Sequence, residues 1–261
     1  LKIPSVITIH EVIGKGWSTF KTMNMFSAML HRFLEKLAVT LNFDTFVCVS
    51  RSTQRDLLKV NADCTSVVVY NGVDKKFWDP SRYSGKEIRR SYNLQERFVY
   101  LFYGRPGVSK GLEYLIRAVP DISEKIPKSI LFLILSRDPQ YADRYAKILE
   151  MIDRLGIKDN VKIIDPVPRP QLPNYIKMAD CVVIPSLSEG FGFTTVESCY
   201  MGKPVVVSDT ASLPEVVFGN YILVKPGSWQ SISKGVLDIF NNKGIISKKK
   251  DFSIKKNISG Y

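Results

Sequence analysis

The chain has 261 residues, more than one ordinary domain needs, and with 45% hydrophobic and 24% charged residues its composition is globular rather than disordered. No apolar run reaches the roughly 18 residues of a spanning helix; the longest, VITIH and ILFLIL, have strand length. Lys and Arg total 37 against 25 Asp and Glu, and the net charge of +12 points to an anionic partner (nucleic acid, an acidic membrane surface or a phosphorylated ligand) or simply to a lysine-rich background.

Short apolar runs alternate with helical patterns along the whole chain. Strands are predicted at 4–9, 45–49, 66–70, 98–104, 129–135, 161–164, 181–185, 204–208 and 221–224. Helical patterns fall at about 20–39, 51–60, 110–125, 140–155, 170–178, 194–201 and 228–241. Continuous Val/Ile/Leu strands separated by helices belong to parallel sheets covered on both faces, so the class is α/β, doubly wound. The polar stretch 71–90, with turn signals at Asn71-Gly72 and Asp79-Pro80, predicts a linker. The division is 1–80 for a first domain, 81–244 for a second and 245–261 for a basic tail that restarts a helix at Ser253. Three strands precede the linker and six follow it. The first domain therefore reads as incomplete at its amino end, with VITI apolar on both faces and nothing predicted to flank it. Upstream residues or another chain would complete it.

The four cysteines, Cys48, Cys64, Cys181 and Cys199, form no C-x-x-C pair and read as reduced residues of a cytoplasmic protein. No His/Cys/Asp/Glu cluster has metal-ligand spacing, and no D-x-D occurs, so no metal is expected. No G-x-G-x-x-G follows a strand, which disfavours a nicotinamide cofactor, and no G-x-S-x-G elbow is present. A nucleic-acid partner is disfavoured because no basic stripe is interleaved with aromatics.

Three stretches carry chemistry. EGFGFTTVE (189–197) follows a strand and opens a helix, at the end of a parallel sheet where ligands bind. Gly190 and Gly192 permit a sharp turn and close approach, and the helix start near Thr194 favours an anion. Glu189 and Glu197 could reach separate polyol groups; Thr194-x-x-Glu197 also reads as a capping box. YGRPGVSKG (103–111) sets Arg105 and Lys110 on either side of a Pro-Gly turn, where both could meet a diphosphate or simply be surface cations. His10 ends the first strand, either lining a cleft as a hydrogen-bond donor or serving as a structural residue. His31, inside an amphipathic helix, reads as structural.

Together these segments resemble the retaining nucleotide-sugar glycosyltransferases of the GT-B fold, glycosyltransferase family 4 (glycosyl transferases group 1). VITIHE is similar to that family's strand-end His segment, YNGVD (70–74) to its interdomain signature, YGRPGVSKG to its G-R-x4-K-G loop, and 185–209 to its E-x7-E region with the following strand. The resemblance implies two Rossmann-like domains and transfer of a hexose from a nucleotide-diphosphate sugar, with no cofactor, to a saccharide or lipid-linked acceptor. It assigns catalysis to His10, Arg105, Lys110 and Glu189. Donor binding falls to Gly104, Val167, Gly190, Phe191, Gly192, Phe193, Thr194 and Glu197, with Glu189 on the sugar, Glu197 on the ribose and the base near 166–169. A nucleotide-sugar epimerase of GT-B fold and a non-catalytic nucleotide-sugar-binding subunit remain as alternatives. The basic tail and the apolar helix 25–39 add an expectation of peripheral contact with an anionic inner-membrane face.

Overall fold

A computed structural model describes residues 4–18 and 24–261; the first residues of the helix expected over 20–39 lie outside these. The first domain is a parallel sheet of β1 (Val6–Ile9), β2 (Thr45–Cys48) and β3 (Ser66–Val68), in the order β1-β2-β3. Helix α1 (Met25–Val39) connects the first two strands and α2 (Arg51–Leu58) the last two. Each helix starts where a polar side chain takes an orphan amide. Asn24 accepts from the Ser27 N–H, and Ser50 from the Thr53 N–H. The small core consists of Ile9, Val12, Val39, Phe46, Cys48 and Leu57. Along α1 only Ala28 and Val39 are buried, while Met25, Phe26, Met29 and Phe33 are exposed. His31 Nδ1 lies 2.8 Å from the Ser27 carbonyl and its ring packs on Trp17, a structural placement.

After the short α3 (Lys86–Ser91) comes the larger sheet: β4 (Phe98–Gly104), α4 (Leu112–Lys125), β5 (Ser129–Leu135), α5 (Ala142–Arg154), β6 (Val161–Ile164), α6 (Leu172–Met178), β7 (Cys181–Ile184), α7 (Phe193–Tyr200), β8 (Val205–Ser208), α8 (Leu213–Val216), β9 (Gly219–Val224), α9 (Trp229–Phe240) and β10 (Ile245–Ser247). The spatial order is β10-β9-β8-β7-β4-β5-β6, with only β10 antiparallel. The chain winds outward from β4 to β6, then returns to the other side of β4 and winds outward from β7. The strand order thus reverses between β4 and β7, and a crevice opens at the carboxyl ends of those two strands. Alternation along β4 feeds both faces: Val99, Leu101 and Tyr103 enter one apolar cluster, Tyr100 and Phe102 the other.

Six strands were expected in this sheet and seven form. The seventh, β10, is three residues long on the sheet edge with Ile245 and Ile246 exposed, too short to show a periodicity. It takes the first residues of the expected tail into the sheet. The remainder crosses back to the first domain. Ser253 caps α10 (Ile254–Ile258) by accepting from the Lys256 N–H. The Val73 N–H donates to the Phe252 carbonyl at 2.7 Å, and Asn257 Nδ2 donates to the Tyr70 carbonyl at 2.8 Å. Tail lysines are partly engaged inside the molecule: Lys250 Nζ donates to the Glu215 carbonyl and Lys249 sits over the Tyr200 ring.

The expected linker is a packed segment rather than a free one. Trp78 is 1% exposed, and Phe77 and Tyr83 pack beside it on the second domain's core. No helix among the described residues is long and apolar enough to cross a membrane.

Candidate functional site

The crevice at the ends of β4 and β7 is a cavity of about 180 Å³, lined by Tyr103, Gly104, Arg105, Lys110, Ser186, Glu189 and Thr194 among others. Two loops build it. The first leaves β4 at Gly104 and enters α4 through Gly111, whose φ of 63° and position hard against the Pro185 carbonyl leave no room for a side chain. Residues 185–192 form the second loop, which is pinned to the first by the Leu187 N–H donating to the Ser109 carbonyl at 2.7 Å.

Lys110 and Glu189 meet across this joint. Lys110 Nζ lies 2.5 Å from Glu189 Oε1, and Ser186 Oγ donates to the same oxygen at 2.9 Å. Both side chains are largely withdrawn from water, at 22% and 12% exposure. Arg105 is exposed and leans away, its guanidinium 6.0 Å from the centre of the Tyr141 ring. The sequence set Arg105 and Lys110 symmetrically about the turn. The structure puts the lysine inside the crevice wall and the arginine at its rim.

Glu197 does not cap α7. The residue before α7 is Gly192, in the left-handed region at φ 89°, and no side chain caps the helix. The capping-box reading is therefore corrected. Glu197 sits beyond the first turn, and its carboxylate accepts from the Tyr103 hydroxyl at 3.2 Å. Burial pushes the Glu197 carboxyl up to about 7, against the lowering effects of the Tyr103 hydrogen bond and the Arg169 charge. Tyr103 is 9% exposed, also lies 3.1 Å from the Thr194 carbonyl, and its phenol is raised well above its usual range, chiefly by burial. Sequence reasoning overlooked Tyr103 and Ser186. The tyrosine was legible as the penultimate residue of a strand aimed at the crevice.

The glycines of 189–197 serve the protein's own packing. A Cβ at Gly190 would lie 1.8 Å from the His10 carbonyl oxygen, and one at Gly192 would lie 2.7 Å from Leu213. Phe191 is buried against Tyr70, Phe193 and Phe252, while Phe193 is 46% exposed. Val167 packs on the core cluster of that face. His10 is exposed, with its backbone on Gly190, and its side chain lines neither this crevice nor the larger cavity beside it. Of the expected residues, Gly104, Arg105, Lys110, Glu189 and Thr194 share the crevice wall. Glu197 stands directly behind it, bonded to the lining residue Tyr103.

Several contacts bring the first domain onto this loop. The Glu215 carboxylate of α8 accepts from the backbone N–H groups of Arg51 and Ser52, at 2.9 and 2.7 Å, and from the Tyr70 hydroxyl at 3.1 Å. Thr53 Oγ1 donates to the Gly190 carbonyl at 3.3 Å, and Ser188 donates to the Glu11 carboxylate.

Comparison with known proteins matches residues 84–258 to the glycosyl transferases group 1 family and residues 1–77 to glycosyltransferase family 4. Among curated proteins, an uncharacterized glycosyltransferase of Methanocaldococcus jannaschii is 31% identical over 213 residues, 80% of this chain and 51% of the relative. The D-inositol 3-phosphate glycosyltransferase of Corynebacterium diphtheriae is 29% identical over 220 residues, 82% of this chain and 51% of the relative. The chain thus spans about half the length of these relatives. Among solved structures, Anabaena HepE in complex with UDP and glucose superposes with a TM-score of 0.77 at 21% identity, covering 92% of this chain and 62% of that one. Sucrose-phosphate synthase from Thermosynechococcus elongatus gives 0.76 at 23% identity, covering 91% and 59%. These likenesses give the fold, α/β with parallel sheets of the GT-B type, and the family match over residues 84–258, more than half of this chain, places it among the group 1 glycosyltransferases.

Proposed function

We propose that the chain acts in a retaining, metal-independent transfer of a hexose from a nucleotide-diphosphate sugar to a saccharide or lipid-linked acceptor. The observation that carries this reading is the pairing of Lys110 with Glu189 at the mouth of the β4/β7 crevice, with Glu197 held behind it by Tyr103. One cation and two separately held carboxylates suit a ligand with an anionic middle and a polyol at each end. The structural neighbour HepE, recorded with UDP and with UDP-glucose, has the same fold.

In this reading the diphosphate lies along the amides opening α7 and beside Lys110, with Arg105 closing in from the rim. Glu189 accepts from hydroxyls of the sugar, and Glu197 accepts from the ribose. Negative charge develops on the phosphate oxygen as the sugar C1–O bond breaks, and Lys110 and Arg105 stabilise it there. The acceptor oxygen forms its bond to C1 on the same face, and its proton passes to the departing phosphate. That route keeps the configuration at C1 and needs no enzymic nucleophile. Peripheral binding to an anionic membrane belongs to the same proposal through the lipid-linked acceptor.

The test is a thermal-shift screen with uridine, guanosine and adenosine diphosphate sugars, followed by product analysis with the donor that binds. A ligand at one hundred times its dissociation constant stabilises by about 2.7 kcal/mol. Nucleoside diphosphate released together with a new α- or β-glycoside of the donor's own configuration is the expected result. Isomerised sugar without acceptor would identify an epimerase, and binding without turnover a binding subunit.

A further inference from the structure

Tyr103 joins the two walls of the crevice. It stands near the end of β4, an interior strand, and its ring belongs to the apolar cluster of that face while also lining the cavity. Its hydroxyl reaches three oxygens of α7: the Thr194 carbonyl at 3.1 Å, Glu197 Oε2 at 3.2 Å and Ser198 Oγ at 3.3 Å. A phenol has a single proton to donate. Ser198 Oγ donates its own proton to the Thr194 carbonyl at 2.7 Å, so that carbonyl already has a partner. Ionised Glu197 is the charged acceptor, and the bond to it is the strongest of the three. The Tyr103 proton therefore goes to Glu197 Oε2. When Glu197 is protonated the bond reverses: the carboxyl donates to the phenol oxygen, and the phenol turns to the Thr194 carbonyl.

This arrangement restricts what Glu197 can do. A glutamate side chain is long and flexible, whereas the Tyr103 ring is fixed by packing on its strand. The bond engages Oε2, and among the described residues Oε1 has no hydrogen-bond partner. One oxygen is held and the other is offered in a single direction. The charged group that acts on the carboxylate besides Tyr103 is Arg169, in the loop between β6 and α6, which favours the ionised form. The phenol itself and the Cys199 thiol beside it stay protonated near neutral pH, both raised chiefly by burial, the thiol to about 12.

We propose that Tyr103 is the positioning residue of the nucleotide seat: its hydroxyl aims Glu197 Oε1 at a ribose hydroxyl, and through that bond the protein tells a ribonucleotide from a deoxyribonucleotide. The inference rests on the assignment of Glu197 to the ribose made above.

Calorimetry would compare the nucleoside diphosphate that the protein selects with its 2′-deoxy and 3′-deoxy analogues, at pH values on both sides of the Glu197 ionisation at about 7. The proteins are the parent, Tyr103→Phe, Glu197→Gln and Ser198→Ala. The ratio of ribo to deoxy affinity is the readout, because ionisation of the terminal phosphate is common to both ligands and cancels. The expected result is a preference for one ribose hydroxyl of about tenfold in the parent above that pH, as for one hydrogen bond to a charged group, and of about twofold at most in Tyr103→Phe. What preference remains in Tyr103→Phe should develop at higher pH than in the parent, since the carboxylate has lost a donor that favours its charged form. Ser198→Ala should keep the parent's ratio. A purely structural tyrosine would give a different pattern: Tyr103→Phe would melt lower and bind all three ligands more weakly by one common factor, with the ratio and its pH midpoint unmoved. That outcome overturns the proposal, as does an equal loss of the ratio in Ser198→Ala, which would assign it to the packing of α7. Failure of the ribose assignment looks different again, as a parent without any ribose preference or a Glu197→Gln that retains it, and the proposal then falls with it. Loss of the ratio in Glu197→Gln with its retention in Tyr103→Phe sinks the positioning role alone.

Discussion

The carbonyl oxygen of His10 occupies the space where a side chain at Gly190 would begin, 1.8 Å from an ideal Cβ. This contact joins the end of β1 to the loop that carries Glu189, so the glycine fixes the relation between the two domains. Gly190→Ala should force them apart at this point. Overpacking of this kind costs about 1–3 kcal/mol. The nucleotide should still bind within a few-fold, because its proposed seat lies in the second domain, while turnover falls by one to two orders of magnitude. Stopped-flow binding and a product assay read the two effects separately; unimpaired turnover would mean that catalysis does not use this closed arrangement.

Glu215 provides a second tie, and its test is spectroscopic. Its carboxylate meets the amides opening α2, where the helix dipole favours a negative charge. It also accepts from Tyr70, whose phenol is pushed up to about 12 by burial first and by Glu215 second, against Arg51 and Arg55. Glu215→Gln removes the charge but keeps an acceptor. The Tyr70 phenol should then ionise at lower pH, visible in ultraviolet titration against a Tyr70→Phe control. Glu215→Ala should in addition cost about 1–3 kcal/mol, since the α2 amides lose their partner in a half-buried setting. An unchanged tyrosine titration in Glu215→Gln would show that the two domains do not hold this contact in solution.

Glu197 makes stability depend on pH with a defined sign. Its carboxyl is raised from 4.5 to about 7, so between those values the folded protein holds a proton that the unfolded chain has released. Stability from this residue is therefore greatest below pH 4.5, falls as pH rises through the window and is constant above 7. The fall is about 3 kcal/mol. Glu197→Gln should be more stable than the parent at pH 8 by a similar amount, and less different at pH 5. The same substitution should remove the gain in nucleoside diphosphate affinity that the parent shows as the carboxylate ionises between pH 6 and 8. Thermal melts and calorimetry at those pH values check both; a variant less stable than the parent at pH 8 contradicts the burial argument.

The class and most elements were legible because parallel strands covered on both faces leave continuous Val/Ile/Leu runs, as in SILFLIL. The loops after β4 and β7 were expected at the carboxyl ends of parallel strands, while the reversal of strand order between them came only from the pairing of β4 with β7. Less legible features depended on tertiary context. β10 gains its strand state only from pairing with β9. Glu197 looked like a helix cap because Thr194 precedes it by three residues, yet Gly192 opens the helix and Tyr103, distant in sequence, takes the carboxylate. The role of Gly190 depended on His10, which no local pattern could connect to it.

Lys110 and Glu189 make opposite predictions, although they form one pair. Their contact at 2.5 Å neutralises two charges in a partly enclosed crevice. Removing one member leaves the other uncompensated, and which one remains decides the sign for an anionic ligand. Lys110→Ala leaves the Glu189 carboxylate facing the phosphate seat, so nucleoside diphosphate should bind at least tenfold more weakly, while the bare nucleoside loses little. Glu189→Gln leaves the Lys110 ammonium free, so nucleoside diphosphate should bind as well as in the parent or more tightly. Turnover should fall in both, since one loses stabilisation of the leaving group and the other loses its grip on the sugar. In the double variant the affinity change should be smaller than the sum of the single changes, because the two groups are in contact. Calorimetry with the nucleoside and its diphosphate across the four proteins measures each of these terms. If Glu189→Gln weakened the diphosphate as strongly as Lys110→Ala does, the pair would be a structural brace of the two loops rather than a phosphate seat.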